Sequence, residues 1–482
     1  MTRSRQSSIP TSEFAGMSRI ALLGLLPLIA FVAWGVWHAL AVMQAFDGHG
    51  NRLATAWALS FLLLWWVPLA WLERPVKATP RQQAQLDLLY VAVQIPAYNE
   101  DESALRLCIQ SLFDQARRPN RIYVVDDGSK DKATDRVIDY AEIRRWFLTE
   151  TKRLGIHGVW DRQVNQGKRH AQANSLRREA ALLKGSGRSE IFMTLDSDSV
   201  LDRKAVEEGL KPFSDPRVHS VAGHVVVLNS RDNVLTFMTS MLYLPFTRGL
   251  RSAQSVLKRV MVNSGTLAFY RTDTLLKYLG VYENERFRGK PMQMNDDSLM
   301  TMYALLAEDG HGKAVHQPSS VCFTLVPNKV QHYLNQQFRW MRGTFVRTFW
   351  WFKYMRITSI TFWMPVMELT QLILSLVIPV ALVQQTRPGD LMDLVWSTMW
   401  VGLGVNYVIA LRFFSIDRSD EPAWFRWALF ITSPVTAIWR LLILRPMYFY
   451  ALFTCWKIGK WGTRDSGVEV GMKIEPKDAV PA

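Results

Sequence analysis

Cysteine is almost absent, with only Cys108, Cys322 and Cys455 in a chain of 482 residues. Three scattered thiols exclude a disulfide framework and a cysteine-built zinc site, and they suit a soluble part facing the reducing cytosol. Internal repeats and low-complexity tracts are lacking, so a repeat architecture is ruled out. Acidic residues are outnumbered, 42 against 57 basic, for a formal net charge of +15. That excess fits anionic lipid, nucleotide phosphates or an acidic product, and positive-inside bias accounts for part of it. No nucleic-acid-reading motif accompanies the charge, so nucleic acid is not an expected partner.

What is plentiful is apolar surface. Hydrophobic residues make up 49% of the chain, with 19 Trp and 24 Phe, and they fall in blocks, the pattern of a membrane protein carrying a soluble domain. A polar tail with Arg3, Arg5 and Arg19 (residues 1–19) precedes an apolar run from Ile20 to Phe46. Ala39-Leu40-Ala41 mimics a signal cleavage site, but the run exceeds the ~7–15 residues of a signal core. A second run, Leu53–Leu72, follows a six-residue loop, so residues 20–73 are expected to form a two-helix membrane hairpin. Apolar runs resume at Ile357–Val383, Leu391–Phe414 and Trp424–Trp456. The last is long for one span and short for two. Pro434, Arg440 and Pro446 predict a break into two short or re-entrant helices, making about four helices in 357–456. The tail 457–482 then returns to the cytosol.

Between the apolar blocks the period changes. Val91–Ile95, Arg121–Val125, Ile191–Leu195 and Ser220–Leu228 read as short strands, and Ser103–Gln115, Arg169–Leu183 and Lys204–Phe213 as helices between them. Such alternation predicts an α/β domain over 86–345, a mainly parallel sheet with helices on both faces, inserted between transmembrane helices. Aromatic and basic residues mixed through 232–257 and 328–355 read as interfacial helices, with ordinary core helices as the competing reading.

In such a sheet ligands bind beyond the carboxyl ends of the strands, and polar motifs fall there. Pro96-Ala97-Tyr98-Asn99-Glu100 ends the first strand and Asp126-Asp127-Gly128-Ser129 the second. Carboxylates there can accept hydrogen bonds from a base and a ribose, though Asp-Asp-Gly-Ser alone also makes an ordinary turn. Asp196-Ser197-Asp198 ends the third strand, and two carboxylates so spaced can coordinate one hard divalent cation, Mg or Mn. Asn295-Asp296-Asp297 supplies a general base, Asp297, beside Asp296; a helix N-cap is the plainer reading of either carboxylate. Lys168 follows Gly167 at a helix start, a natural phosphate contact, or else part of a solvated basic face. Gln336, Arg339 and Trp340 share one helical face. There Arg339 can bind a diphosphate, Gln336 a sugar hydroxyl, and Trp340 the face of an acceptor sugar. A membrane-interface anchor is the alternative.

Taken in order, Asp126-Asp127-Gly128-Ser129, Gly167-Lys168-Arg169-His170-Ala171-Gln172, Asp196-Ser197-Asp198, Asn295-Asp296-Asp297 and Gln336-x-x-Arg339-Trp340 resemble the processive family-2 glycosyltransferases. Hyaluronan synthases are the nearest in pattern, with the chitin-oligosaccharide, alginate and cellulose synthases related. Leu444-Arg445-Pro446 and Trp461-Gly462-Thr463-Arg464 resemble their closing segment. The resemblance covers roughly 88–345 and 440–465. It implies a GT-A fold, inverting transfer from a UDP-sugar with Mg or Mn, and export of the growing polysaccharide through the same polypeptide. It also implies nucleotide contacts from Tyr98, Glu100, Asp126, Asp127, Lys168, Asp196 and Arg339, with Trp461 and Arg464 in a gate over the nucleotide. The metal falls to Asp196 and Asp198, and the acceptor side to Ser264, Gly265, Gln336 and Trp340. Two departures stand out. Hyaluronan synthases usually carry Cys-Ser-Gly-Pro where this chain has Asn263-Ser264-Gly265-Thr266, and Gly-Asp-Asp-Arg where it has Asn295-Asp296-Asp297-Ser298. The identity of the sugar is therefore not carried over. A non-processive transferase acting on a lipid carrier, and a transporter or receptor that senses a nucleotide sugar, are the competing functions.

Overall fold

The computed structural model describes residues 9–14, 19–44, 57, 61–130, 136–292, 294–385 and 391–457. The loop at 47–52, residues 53–56 and 58–60 of the run Leu53–Leu72, and the segment holding Trp461 and Arg464 lie outside the described residues.

Alternation of apolar residues builds an eight-stranded sheet. Its strands in chain order are β1 (Val91–Ala97), β2 (Arg121–Asp126), β3 (His157–Arg162), β4 (Ile191–Thr194), β5 (Ser199–Leu201), β6 (Val218–Val227), β7 (Ala268–Arg271) and β8 (Lys313–Thr324). Their spatial order is β3-β2-β1-β4-β7-β6-β8-β5. The β3-β2-β1-β4 half is parallel, whereas β7 runs antiparallel between β4 and β6. Val91, Val93 and Ile95 face Leu105, Ile109 and Leu112 on one side of the sheet. Ala92 faces Phe192, Tyr270 and Met300 on the other, so helices cover both faces. The expected fold class holds, with four strands (β3, β5, β7, β8) that the apolar runs did not mark. In β8, Pro318 sits where the register against β6 shifts between Gln317 and Val321, a bulge that tolerates a residue without an N–H.

Four described helices have the length and composition to cross a membrane: Arg19–Gln44, Ile360–Ala381, Leu391–Ser415 and Ala423–Thr454. Leu23, Leu26, Ile373 and Leu441 are exposed on them, which is costly against water and favourable against lipid. Of the run Leu53–Leu72, residues 61–64 form a 3-10 turn and Trp66–Leu72 a helix. The expected break within 424–456 is not there. Helix Ala423–Trp439 continues through a π turn, Arg440–Leu444, into Arg445–Thr454. Irregular turns of this kind let a helix run on past a proline, here Pro446. The described residues of 357–456 therefore hold three long helices instead of about four. Both ends of the last one touch elements attached to the sheet. Phe425 meets Phe237 edge-on with ring centroids 5.4 Å apart, and Arg342 Nε donates to Thr454 Oγ1 at 3.2 Å.

The stretches 232–257 and 328–355 are helical: Val234–Leu244, a π turn Pro245–Leu250 and Arg251–Val256, then Val330–Tyr354. A buried charge cluster joins the first of these stretches to the sheet and to the apolar helices. Glu73, just after Trp66–Leu72, accepts from Arg248 Nη1 at 3.0 Å, Arg412 Nη2 at 3.2 Å and Ser252 Oγ at 2.5 Å. His316 Nδ1 of β8 lies 2.7 Å from its other oxygen. One carboxylate thus holds four elements in register.

Candidate active site

The carboxyl ends of β1 and β4 and the start of helix Asp296–Gly310 border a single cavity of about 740 Å³. Tyr98, Asp127, Lys168, Asp196 and Asp198 line it from the sheet side. Ser264, Gly265, Asp296 and Asp297 form its floor, and Gln336, Arg339 and Trp340 face it from helix Val330–Tyr354. The lining continues past Thr344 and Arg347 to Arg440, Leu444 and Tyr448 of the last apolar helix. Twelve of the sixteen expected site residues therefore share one space. Glu100 and Asp126 do not line it. Glu100 Oε1 accepts from Ser197 Oγ at 2.5 Å, and Asp126 Oδ1 accepts from Ser129 N at 2.9 Å with Arg162 3.4 Å from its other oxygen. Both carboxylates are buried behind the wall, where they brace the strand ends. The other two, Trp461 and Arg464, fall outside the described residues.

Asp127 reaches the cavity but its oxygens are engaged. Oδ1 accepts from Gln163 Nε2 at 2.7 Å and Gln166 N at 3.1 Å, and Oδ2 from Gly167 N at 2.8 Å. Burial pushes this carboxyl above the ordinary range, and those three donors pull it back. Its geometry fastens the loop that delivers Lys168. Lys168 Nζ lies 2.7 Å from Asp196 Oδ1 and 3.4 Å from Asp296 Oδ2. Burial works against its charge, but the two carboxylates more than restore it and hold it protonated. A Cβ at Gly265 would stand 2.8 Å from Lys168 Nζ, so a larger residue there would displace the end of that side chain.

Neither Asp296 nor Asp297 caps the helix. Asn295 occupies the cap position, and the two carboxylates lie in the first turn, where the helix dipole favours negative charge. They titrate as a pair pushed apart. Burial opposes ionisation of Asp296, yet Lys168 and Arg169 outweigh it and keep its carboxyl low. Burial and then the Asp296 charge push Asp297 up to about 6, with Lys168 pulling the other way. A carboxylate so raised is a competent proton acceptor near neutral pH. Trp340 is exposed to the cavity, and Tyr243 joins it with ring centroids 5.9 Å apart.

Asp196 and Asp198, one residue apart and both on the cavity, suit a divalent cation that fills its shell with water and phosphate oxygens. Among the described residues no group of three or more His, Cys, Asp or Glu could hold a metal alone. The donor set thus fits a cation arriving with a diphosphate, not a resident structural ion.

Sequence reasoning missed Arg251. It is buried, its Nη2 donates to Ser264 Oγ at 2.7 Å, and burial lowers its pKa to about 10, with the Asp297 charge opposing that most strongly. An arginine inside an aromatic, apolar helix was the available signal.

A sheet with acidic strand ends over one deep cavity, set among membrane-length helices, defines a GT-A-type glycosyltransferase domain joined to a membrane region. The model of Glycosyl transferase family 2 matches residues 92–279, and that of Glycosyl transferase family group 2 matches residues 191–461. Hyaluronan synthase of Streptococcus pyogenes serotype M1 is 31% identical over 397 residues, 82% of this chain and 87% of the relative. An N-acetylglucosaminyltransferase of Azorhizobium caulinodans is 30% identical over 381 residues, 78% and 87% of the two chains. The chain belongs to glycosyltransferase family 2. Among solved structures, TarS 1–349 of S. aureus aligns over 77% of this chain and 92% of its own, at 14% identity and a TM-score of 0.38. So loose a superposition carries neither fold nor ligand.

Proposed function

We propose that this chain polymerises a β-linked polysaccharide from a UDP-sugar, keeps hold of the product between transfers, and passes it into its membrane helices. The observation that carries the reading is the continuity of one cavity from Asp127 and Asp198, past Asp297, to Trp340 and on to Arg440 and Tyr448. The kinship with a hyaluronan synthase and an N-acetylglucosaminyltransferase supports a sugar polymer as product.

Tyr98 and the loop fastened by Asp127 form the nucleotide end, with Lys168 and Arg339 beside the diphosphate. The acceptor hydroxyl gives its proton to Asp297 as its oxygen bonds to the anomeric carbon on the face opposite the diphosphate. The carbon–diphosphate bond breaks, UDP leaves and the configuration inverts. A Mg or Mn ion on Asp196 and Asp198 would offset charge on the departing diphosphate. Asp296 stays ionised against Lys168 and keeps Asp297 basic. Trp340, with Gln336 beside it, gives the acceptor sugar a stacking surface that demands little directional bonding, so the chain can slide. Ser264 and Gly265 border the same acceptor end. The helix Ala423–Thr454, which touches catalytic-side elements at both ends, lines the start of the path into the membrane region in this reading. The catalytic domain and the tail then share the cytosolic side of a cell membrane.

The test is purified protein in detergent with a panel of UDP-sugars and Mn, scoring UDP release and product size. Release accompanied by long polymer supports the reading. One sugar added to a lipid carrier would transfer the protein to the non-processive class, which the apolar lining at Leu242, Phe246 and Leu444 also accommodates. Binding of UDP-sugar without any release would mark a sensor.

A further inference from the structure

The catalytic turn begins on a residue with two attachments. Asn295 adopts φ 62 and ψ 33, a left-handed conformation that asparagine tolerates better than most side chains. Its carbonyl accepts from Leu299 N at 3.1 Å, which starts the helix carrying Asp296 and Asp297. Its side chain makes no capping bond. Instead Asn295 Nδ2 donates to the backbone oxygen of Gly343 at 2.7 Å, three residues beyond Trp340. A carbonyl oxygen has two lone pairs, so this bond does not cost the helix its own.

The contact is fitted from the other side as well. A Cβ at Gly343 would stand 2.1 Å from Asn295 Oδ1 and 3.1 Å from its Cγ, with Nδ2 next at 3.3 Å. All the nearest obstacles belong to this one side chain. Glycine inside a helix costs about 1 kcal/mol relative to alanine, and Gly343 lies well inside the helix Val330–Tyr354. The close approach of Asn295 is the reason for that cost. A methyl at 343 would push the Asn295 amide out of its bond to the Gly343 oxygen.

We infer that Asn295 and Gly343 form a matched pair that holds Asp297 in register with the acceptor platform on Gln336 and Trp340, making Asn295 a positioning residue for transfer. The inference rests on Asp297 as base and Trp340 as acceptor surface. Between the two elements the chain runs through the rest of helix Asp296–Gly310 and all of β8, so backbone connection alone does not set their spacing. The Asn295–Gly343 bond ties them directly. Misplacing reacting groups by about 1 Å can cost ~100-fold in rate.

The experiment compares N295G, G343A, N295G/G343A and D297N in the full-length protein, reading kcat and donor KM for UDP release, product length and thermal midpoint. N295G keeps the left-handed backbone at no steric cost but loses the tie. It should lower kcat by about tenfold, leave donor KM within about twofold, and shorten the product. G343A should lose at least as much, and the double variant should recover to the N295G level, because the added methyl then meets nothing. Parental kcat and length in either single variant overturns the pair, as does a folded double variant clearly worse than N295G. If G343A does not fold, the kcat-only loss in N295G decides. Activity surviving in D297N removes the base assignment instead. An inactive D297N beside an unaffected N295G removes the matched pair alone.

Discussion

Replacing Asp297 by asparagine should abolish transfer and at the same time make the protein more stable at neutral pH. The kinetic half follows from the role of the carboxylate: a positioned base contributes roughly 10²–10⁴-fold, or about 3–5 kcal/mol of barrier. The stability half follows from the electrostatics. Burial and the neighbouring Asp296 push the Asp297 carboxyl up to about 6 in the folded protein. The native state therefore binds this proton more tightly than the unfolded chain. Stability from that proton is fully present below the unfolded value and is lost as pH rises through about 6. Above that the folded carboxylate is a burden of up to about 3 kcal/mol, less where cavity water screens it. Asparagine keeps the shape and drops the charge, so the thermal midpoint of D297N should exceed the parent's at neutral pH and converge with it in acid. The parent's own rate should fall as pH drops through about 6. UDP release gives the rate, and tryptophan fluorescence during heating gives the midpoint. A D297N protein that turns over at the parental rate, or that melts lower than the parent at neutral pH, refutes the reasoning.

Other outcomes follow from the same geometry. W340A removes the exposed ring beside Tyr243; losing even ~1.4 kcal/mol of chain binding shortens residence about tenfold, so product size should collapse on a sizing column while UDP release persists. D198N should weaken Mn binding measured calorimetrically in the presence of UDP by at least about tenfold, and an unchanged titration would remove Asp198 from the metal site. E73Q takes the charge from a carboxylate that holds Arg248, Arg412 and His316. Stranding buried guanidinium groups costs about 3–5 kcal/mol, so the thermal midpoint should drop clearly, and an unchanged midpoint would mean that the cluster is not what docks the catalytic domain.

The strands ending in Asp126-Asp127 and Asp196-Ser197-Asp198 were legible because short apolar runs, each closed by acids, leave little choice of structure. The same was true of Gln336, Arg339 and Trp340, whose helical spacing brings them to one wall. Long-range partners were not legible. β7 joins the sheet antiparallel through Ala268–Arg271, and no local pattern states a strand's direction. Pro318 hid β8, because a bulge that excuses a proline is set by the neighbouring strand. Asp127 looked free to meet a nucleotide, yet three donors from 163–167 occupy it. The continuous helix Ala423–Thr454 escaped for a related reason. Two prolines argue for a break, yet Pro434 sits within the α-helix and a π turn at Arg440–Leu444 precedes Pro446. Asn295 carried no reading of its own at the head of the Asn295-Asp296-Asp297 motif, because its use depends on Gly343, forty-eight positions away.

The central claim is that transfer happens in a cavity that hands its product to the membrane helices beneath. Sealed membrane vesicles with the catalytic side outward, given UDP-sugar outside, test it most directly. Polymer should accumulate inside, protected from a hydrolase added to the medium until detergent opens the vesicles. Polymer made at full rate but wholly digested by the external hydrolase would contradict the account.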